Sequence, residues 1–217
     1  MDTAGHPIGG ADRTSGPARM ATHIFIDNAN IFGGAQRAAK QLEPAVARQA
    51  VRVDFRNFFK LLEHDHPRIQ TRVLGGSVPP GNDELWEHAR KAGYDADLLK
   101  RVESDDGNLV EQGVDELLHL KIANVLLDYP PPQTLVLGTG DGSRSAFGTS
   151  FRDQVVRALR LKWNVRVYSW KAQLSQKLRN LDCDTVDVKL IELDEYYPSL
   201  TFTTEGRNVG PLALALG

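Results

Sequence analysis

Short apolar runs alternate with stretches of helical periodicity along most of the chain. The first run, residues 23–26, predicts a buried strand that ends in a polar loop at Asp27 and Asn28. Four further strands are predicted, at residues 69–74, 94–102, 135–137 and 165–168. Residues 35–50 lack strong breakers except Pro44. Helices are predicted at residues 53–62, 82–92, 114–126 and 151–159.

This alternation of strands and helices predicts an α/β fold with a central, mostly parallel sheet and helices on both faces. Ligands bind to such sheets beyond the carboxyl ends of the strands. Asp27 follows the first predicted strand, Asp141 follows the fourth in a glycine-rich loop, and Asp115 lies in the first turn of a helix. We therefore expect these three aspartates to meet at one edge of the sheet.

The composition fits one compact domain. With 217 residues, 41% of them hydrophobic, the chain is long enough to bury one substantial core. Residues 1–20 show no apolar period and predict a disordered lead, whereas residues 21–197 are expected to form the domain. Residues 198–217 are expected to form a C-terminal tail, whose apolar cluster at 211–216 either docks on a surface or stays loose.

Several classes of protein are excluded by the sequence. The single cysteine, Cys183, rules out an intrachain disulfide framework and a cysteine-rich zinc site. The histidines do not have the spacing of a zinc site. No apolar run is long enough to cross a bilayer, and the first twenty residues lack the hydrophobic segment of a secretory signal. We expect a soluble cytoplasmic protein with no membrane partner.

Charge is distributed unevenly, although the formal net charge is only −2. Residues 83–128 contain five Lys or Arg against twelve Asp or Glu, and residues 152–189 contain nine Lys or Arg against four Asp. An acidic centre beside a basic flank suits a metal site that receives a phosphate backbone. Ordinary solvated helix faces explain the same distribution equally well.

Three converging carboxylates repel one another, and Mg²⁺ or Mn²⁺ is the usual compensation because both ions prefer oxygen ligands. Such an ion orients a water molecule and stabilises charge on the leaving oxygen of a phosphodiester. Each aspartate also has a structural interpretation. Asp27 caps a turn, Asp115 is a favourable charge at a helix start, and Asp141 is a turn residue. Only their shared placement favours a site.

The sequence resembles the NYN domains, a branch of the PIN-like nucleases, over residues 22–197. The resemblance rests on the order and spacing of several short stretches. They are 25–31 (FIDNANI), 76–80 (GSVPP), 92–94 (AGY), 111–115 (EQGVD), 135–142 (LVLGTGDG), 163–165 (WNV) and 169–170 (SW). The resemblance implies a PIN-like Rossmannoid three-layer sandwich and a metal-dependent ribonuclease that acts on single-stranded or structured RNA.

The resemblance also implies roles for individual residues. Asp27, Asp115 and Asp141 match the catalytic, metal-binding positions of the family. Asn28 and Asn30 match polar positions whose amides hold a water molecule or a phosphate. Many relatives carry a further acid two residues after the position of Asp141. In this chain that position is Ser143, a weaker ligand, and it is followed by Arg144. Ser143 and Arg144 are therefore substrate-binding candidates.

Other residues are candidates for supporting roles at the same edge. A late acid seen in some relatives matches Asp182 or Asp184, although a simple turn explains these two residues equally well. Trp170, after the fifth strand, is the best candidate for stacking on a base. Trp86 and Trp163 are expected in the core. Candidate phosphate contacts, besides Arg144, are Arg152, Lys171 and Lys177.

Two alternatives to a ribonuclease remain open. The substitution of Ser143 for an acid favours a weakened NYN domain that binds RNA without cutting it. The apolar tail and the modest net charge favour a scaffold that recruits a protein partner or forms a homodimer.

Overall fold

The protein is built around a six-stranded sheet in which neighbouring strands run parallel. The computed structural model describes residues 20–77, 83–99, 102–103, 109–110, 113–140, 148–181 and 188–214. The strands are β1 (Thr22–Asp27), β2 (Val51–Val53), β3 (Ile69–Ser77), β4 (Asp95–Leu99), β5 (Val102–Glu103), β6 (Leu109–Val110), β7 (Thr134–Gly138), β8 (Asn164–Ser169), β9 (Val188–Glu192) and β10 (Thr201–Thr203). The helices are α1 (Asn28–Leu42), α2 (Phe55–Glu63), α3 (Asp83–Lys91), α4 (Val114–Asp128), α5 (Phe151–Arg160), α6 (Gln176–Arg179) and α7 (Tyr197–Leu200).

The order of the strands in the sheet is β4-β3-β1-β7-β8-β9. From β1 the chain first builds the sheet outwards through β3 and β4, and then returns to the other side of β1 with β7. The direction in which successive strands are added to the sheet therefore reverses between β1 and β7. In doubly wound sheets this reversal opens a crevice at the carboxyl ends of the two strands, where ligands bind.

Helices cover both faces of the sheet, so the predicted three-layer α/β class is confirmed. Side chains alternate between the faces along β1, because successive residues of a strand point to opposite sides. Ile24 and Ile26 join a core cluster with α1, α2, α3 and α7. Phe25 joins a second cluster with α4, α5 and α6.

Helix α1 begins at Asn28, directly after β1. Asp27 adopts an extended conformation and caps the helix by accepting a hydrogen bond from the backbone N–H of Asn30 at 3.1 Å. The helix ends at Leu42 and not near residue 50, where the chain instead leads into β2. Because Asp27 caps the helix, the chain enters α1 at the position where a polar loop was expected.

The C-terminal part of the chain is more ordered than the sequence indicates. Strand β9 extends the main sheet beside β8, and β10 pairs with β2 in an antiparallel ribbon. Leu212 and Leu214 pack against the first core cluster, and the backbone N–H of Gly210 donates to the carbonyl of Pro198 at 2.8 Å. Of the two possibilities for the apolar cluster, docking therefore holds for Leu212 and Leu214.

The longest described helices are short compared with a lipid bilayer. Helices α1 and α4 have 15 residues each. At 1.5 Å per residue such a helix is roughly 22 Å long, whereas the hydrocarbon core is about 30 Å thick. Within the described ranges, no helix is long and apolar enough to cross a membrane.

Candidate functional site

Asp27 lies at the carboxyl end of β1, at the point where the direction of sheet building reverses. Its side chain is only 2% exposed. Both carboxylate oxygens accept hydrogen bonds from Asn30: Oδ1 from the backbone N–H at 3.1 Å, and Oδ2 from the side-chain amide. The structural interpretation of Asp27 as a cap is therefore correct. A carboxylate offers about four acceptor sites, so capping is compatible with a second role.

Asp115 occupies the same edge of the sheet as Asp27. In the parallel register Asp27 pairs with Gly75, and a Cβ atom on Gly75 would lie 2.8 Å from the side chain of Leu118 in α4. Asp115 precedes Leu118 by three residues, which places the two on one face of the helix. Because α4 begins at the carboxyl edge, Asp115 lies one turn further out, beyond the end of β1.

Two buried side-chain oxygens belong to residues that neighbour Asp27 in the chain or in the sheet. One is Oδ1 of Asn28, whose Cβ lies 3.2 Å from the position that a Cβ on Gly76 would take. The other is Oγ1 of Thr139, the residue that follows β7. Neither oxygen has a hydrogen-bond partner among the described residues. An unpartnered buried polar atom costs about 1–3 kcal/mol, and other buried atoms, such as Nε2 of His23, also lack a partner. The two oxygens favour a polar ligand because they also lie at the reversal point of the sheet.

Thr139 is a residue that the sequence analysis missed. It is 1% exposed, and its backbone N–H donates to the carbonyl of Tyr168 at 3.1 Å. The one sequence signal is its position between the end of a buried strand and the glycine-rich loop. A threonine in that position is unremarkable until the register of β1 and β7 places it next to the end of β1.

The two asparagines of the predicted site differ in their contacts. The amide of Asn30 is engaged inside the protein, because its nitrogen donates to Asp27 and its oxygen accepts from Nε2 of Gln173 at 3.3 Å. The amide oxygen of Asn28 has no such partner. Of the two predicted phosphate or water ligands, Asn28 is therefore better placed, and Asn30 instead holds Asp27.

Several predicted site residues lie outside the described residues. They are Asp141, Ser143, Arg144, Asp182 and Asp184. Gly140, immediately before Asp141, is described, and its carbonyl accepts from the backbone N–H of Ser175 at 3.2 Å. Within the described residues, no three His, Cys, Asp or Glu side chains form a group that could hold a metal ion. The convergence of Asp141 with the other two aspartates stays a prediction.

Trp170 is not a stacking platform, so that prediction is wrong. The side chain is 1% exposed, and its Nε1 donates to the backbone carbonyl of Ile31 at 2.8 Å. Its ring also meets that of Tyr197 edge to face. Trp86 and Trp163 are buried, as predicted. A tryptophan that follows a strand can turn back into the core, and Trp170 does so because α1 offers it a carbonyl.

The described basic candidates lie on the surface. Lys171 follows β8 at the carboxyl edge, and its Nζ lies 3.9 Å from a carboxylate oxygen of Glu192. Arg152 lies in the first turn of α5, where it is 3.9 Å from Asp153. Lys177 is exposed in α6. All three side chains reach solvent, and their contact with phosphate stays a prediction.

Two buried histidines are kept neutral by their surroundings. Burial lowers the pKa of His23 to about 4 and also lowers the pKa of His119. Nδ1 of His119 lies 2.9 Å from Oγ1 of Thr149, and Nδ1 of His23 lies 2.9 Å from Oγ1 of Thr71. Each imidazole therefore serves packing and one hydrogen bond and carries no charge at neutral pH.

Comparison with known proteins supports the fold and nothing finer. No protein-family model matches the chain, and a search of curated proteins found none that is significantly similar. Among solved structures, the chain is similar to a protein of unknown function from Vibrio parahaemolyticus. The two share 16% sequence identity, with a TM-score of 0.55, over 82% of this chain and 98% of the other. At this identity the similarity concerns architecture alone.

Proposed function

We propose that the protein is a metal-dependent ribonuclease that binds Mg²⁺ or Mn²⁺ around Asp27, Asp115 and Asp141. The observation that carries the proposal is the buried carboxylate of Asp27 at the reversal point of the sheet. The side-chain oxygens of Asn28, next in the chain, and of Thr139, after the paired strand β7, lack hydrogen-bond partners among the described residues. This is the place where doubly wound sheets bind ligands.

The donor set fits a hard divalent cation. Carboxylate, amide and hydroxyl oxygens are available at this edge, and Mg²⁺ and Mn²⁺ prefer oxygen ligands. A bound cation would supply Lewis-acid stabilisation of the charge that develops on phosphodiester oxygens. Asp27, Asp115 and Asp141 would hold it, with the oxygens of Asn28 and Thr139 as neighbours.

The remaining residues bind and orient the RNA. Arg144 is assigned to a phosphate next to the acidic centre, where its guanidinium can engage two phosphate oxygens. Lys171 and the basic residues of 152–189 attract the backbone from the flank of the site. Single-stranded or structured RNA is the expected substrate, and the cytoplasm is the expected location of the protein.

A second candidate function rests on Ser143. A hydroxyl is a weaker ligand than the acid that many NYN domains carry at this position, so cation affinity and turnover fall together. The site would then bind RNA at the same edge without cutting it.

The test is an RNA cleavage assay with the purified chain and a labelled single-stranded RNA oligonucleotide. We expect cleavage that rises with Mn²⁺ or Mg²⁺, stops with EDTA, and falls at least about 100-fold in Asp115→Asn, because a ligand to the cation is weakened. The matched control is Asp128→Asn, at the exposed far end of the same helix. Binding without cleavage over the whole Mn²⁺ titration would favour the second candidate. Absence of both RNA binding and cation binding would contradict both and point to a scaffold.

A further inference from the structure

The loop after β8 reaches across the carboxyl edge and inserts Gln173 between two glycines. A Cβ atom on Gly34 in α1 would overlap the amide of Gln173 and the ring of Trp170. A Cβ atom on Gly140, after β7, would lie 2.8 Å from Cβ of Gln173. Gln173 therefore packs directly against the helix that follows Asp27 and against the residue that precedes Asp141.

The amide of Gln173 is linked to the carboxylate of Asp27 through Asn30. Nε2 of Gln173 donates to Oδ1 of Asn30 at 3.3 Å, and Nδ2 of Asn30 donates to Oδ2 of Asp27. An asparagine amide has one accepting and one donating end. Because Gln173 occupies the accepting end, the donating end of Asn30 faces the carboxylate.

We propose that Gln173 is a positioning residue for the acidic centre: it fixes the amide of Asn30 toward Asp27 and packs against Gly140, the residue before Asp141. This inference rests on the proposed function for its consequence, although the hydrogen-bonded chain exists without it. Residues that orient the ligands of a cation typically change its affinity 10- to 100-fold when they are replaced.

The test is the isosteric variant Gln173→Glu. An ionised carboxylate cannot donate to Asn30, so the amide of Asn30 turns its NH₂ group toward residue 173 and away from Asp27. We expect Mn²⁺ affinity, measured by titration calorimetry, to fall about 10-fold. In the cleavage assay kcat should fall while KM for RNA stays within about twofold, because the phosphate contacts are unchanged.

The matched control is Gln176→Glu, which places the same charge three residues further along, on an exposed position of α6. It should leave Mn²⁺ affinity within about twofold of the wild type, because it touches neither Asn30 nor Asp27. Gln173→Met, which keeps the shape of the side chain without a donor or a charge, serves as a second variant. It should weaken Mn²⁺ binding in the same direction as Gln173→Glu.

A readout that needs no cation separates this inference from the proposed function. In nitrogen-15 NMR spectra the side-chain NH₂ protons of Asn30 should exchange with solvent slowly in the wild type. They should exchange at least about 10-fold faster in Gln173→Met, which removes the partner that fixes the amide. If the wild type binds no Mn²⁺, the proposed function fails while the exchange result still decides the role of Gln173. Unchanged exchange of Asn30 in Gln173→Met would overturn the inference.

Discussion

Strand β1 carries a buried ionisable residue near each end, and the two have opposite surroundings. His23, near the start, is fully buried between the rings of Tyr129 and Trp163, at centroid distances of 4.5 and 5.2 Å. Asp27, at the end, is 2% exposed and is held by polar groups of Asn30. Aromatic rings pack against the histidine, whereas N–H groups of Asn30 hold the carboxylate of the aspartate.

The difference shows that burial of an ionisable group does not by itself identify a site. His23 is neutralised, since its low pKa of about 4 leaves it uncharged at neutral pH, and its Nδ1 is matched by Thr71. At the other end, two buried oxygens next to Asp27 lack partners among the described residues. Nε2 of His23 also lacks a hydrogen-bond partner, so an unpartnered atom alone distinguishes neither end. The carboxyl end of β1 is distinguished by its place at the reversal point of the sheet, where ligands bind.

The largest effect is expected when the charge on the Asp27 carboxylate is removed. Asp27→Asn should reduce cleavage of RNA by on the order of 1,000-fold, because a carboxylate ligand is lost. The fold should be spared, since asparagine caps a helix about as well as aspartate does. Cleavage kinetics test the loss of activity, and urea unfolding of the same preparation tests whether the fold is retained. A variant that cleaves like the wild type would remove Asp27 from the site.

Substitutions of Trp170 test whether this residue, at the same edge of the sheet, belongs to the core or stacks on RNA bases. Trp170→Ala should lower the free energy of unfolding by about 3–5 kcal/mol, because a fully buried ring and its bond to the carbonyl of Ile31 are lost. The milder Trp170→Phe, which stays folded, should retain the RNA affinity of the wild type in an anisotropy assay. A large loss of RNA affinity in folded Trp170→Phe would restore this residue as a stacking platform.

Low pH should destabilise the protein because of His23, near the start of β1. The folded-state pKa of His23, about 4, lies below the unfolded value of 6.5, so protonation favours the unfolded chain. The stability that neutral His23 contributes is present above pH 6.5 and is lost as the pH falls toward 4. Between pH 7 and pH 5 the contribution of His23 amounts to about 2 kcal/mol.

Urea unfolding of the wild type and of His23→Leu at both pH values measures this contribution. The wild type should lose about 2 kcal/mol more than the variant between pH 7 and pH 5. His66 and His119 also have lowered pKa values, but they are present in both proteins and cancel in the difference. Equal losses in the two proteins would show that His23 does not titrate as its surroundings imply.

A contact remote from both ends of β1 should have the smallest effect. Arg207 donates through Nε to Glu43 at 2.9 Å and lies over the ring of Tyr197, at 5.2 Å from its centroid. Arg207→Leu should lower the free energy of unfolding by about 1–2 kcal/mol, because a partly buried charged hydrogen bond is lost. Thermal unfolding measures this loss of stability, and RNA cleavage should not change. A cleavage defect without a change in stability would contradict this structural assignment.

Periodicity in the sequence was sufficient to predict the central architecture. The strands at the centre of the sheet are short runs of large apolar residues, and α2 and α5 have a clear helical period. The start of helix α1 was not predicted because its buried face consists largely of Ala and Gly, which give a weak apolar signal. Strand β9 was missed because it is half-buried and interrupted by the exposed Lys189.

The candidate site was only partly predictable for a different reason. Asp27 and Asp115 could be found because strand ends and helix starts are visible in the sequence. Thr139 and Gln173 could not be found, because their importance comes from contacts between segments distant along the chain. Trp170 was misjudged on the same ground, since only the approach of α1 determines that its ring is buried.

The most direct test of the acidic centre is a crystal soaked in Mn²⁺ and measured for anomalous scattering. We predict an anomalous peak at the carboxyl edge of the sheet within coordination distance, about 2.0–2.3 Å, of oxygens from Asp27 and Asp115. The same soak of Asp27→Asn should show the peak lost or greatly weakened. A wild-type crystal with no anomalous density at this edge, or a peak unchanged in Asp27→Asn, would contradict the account.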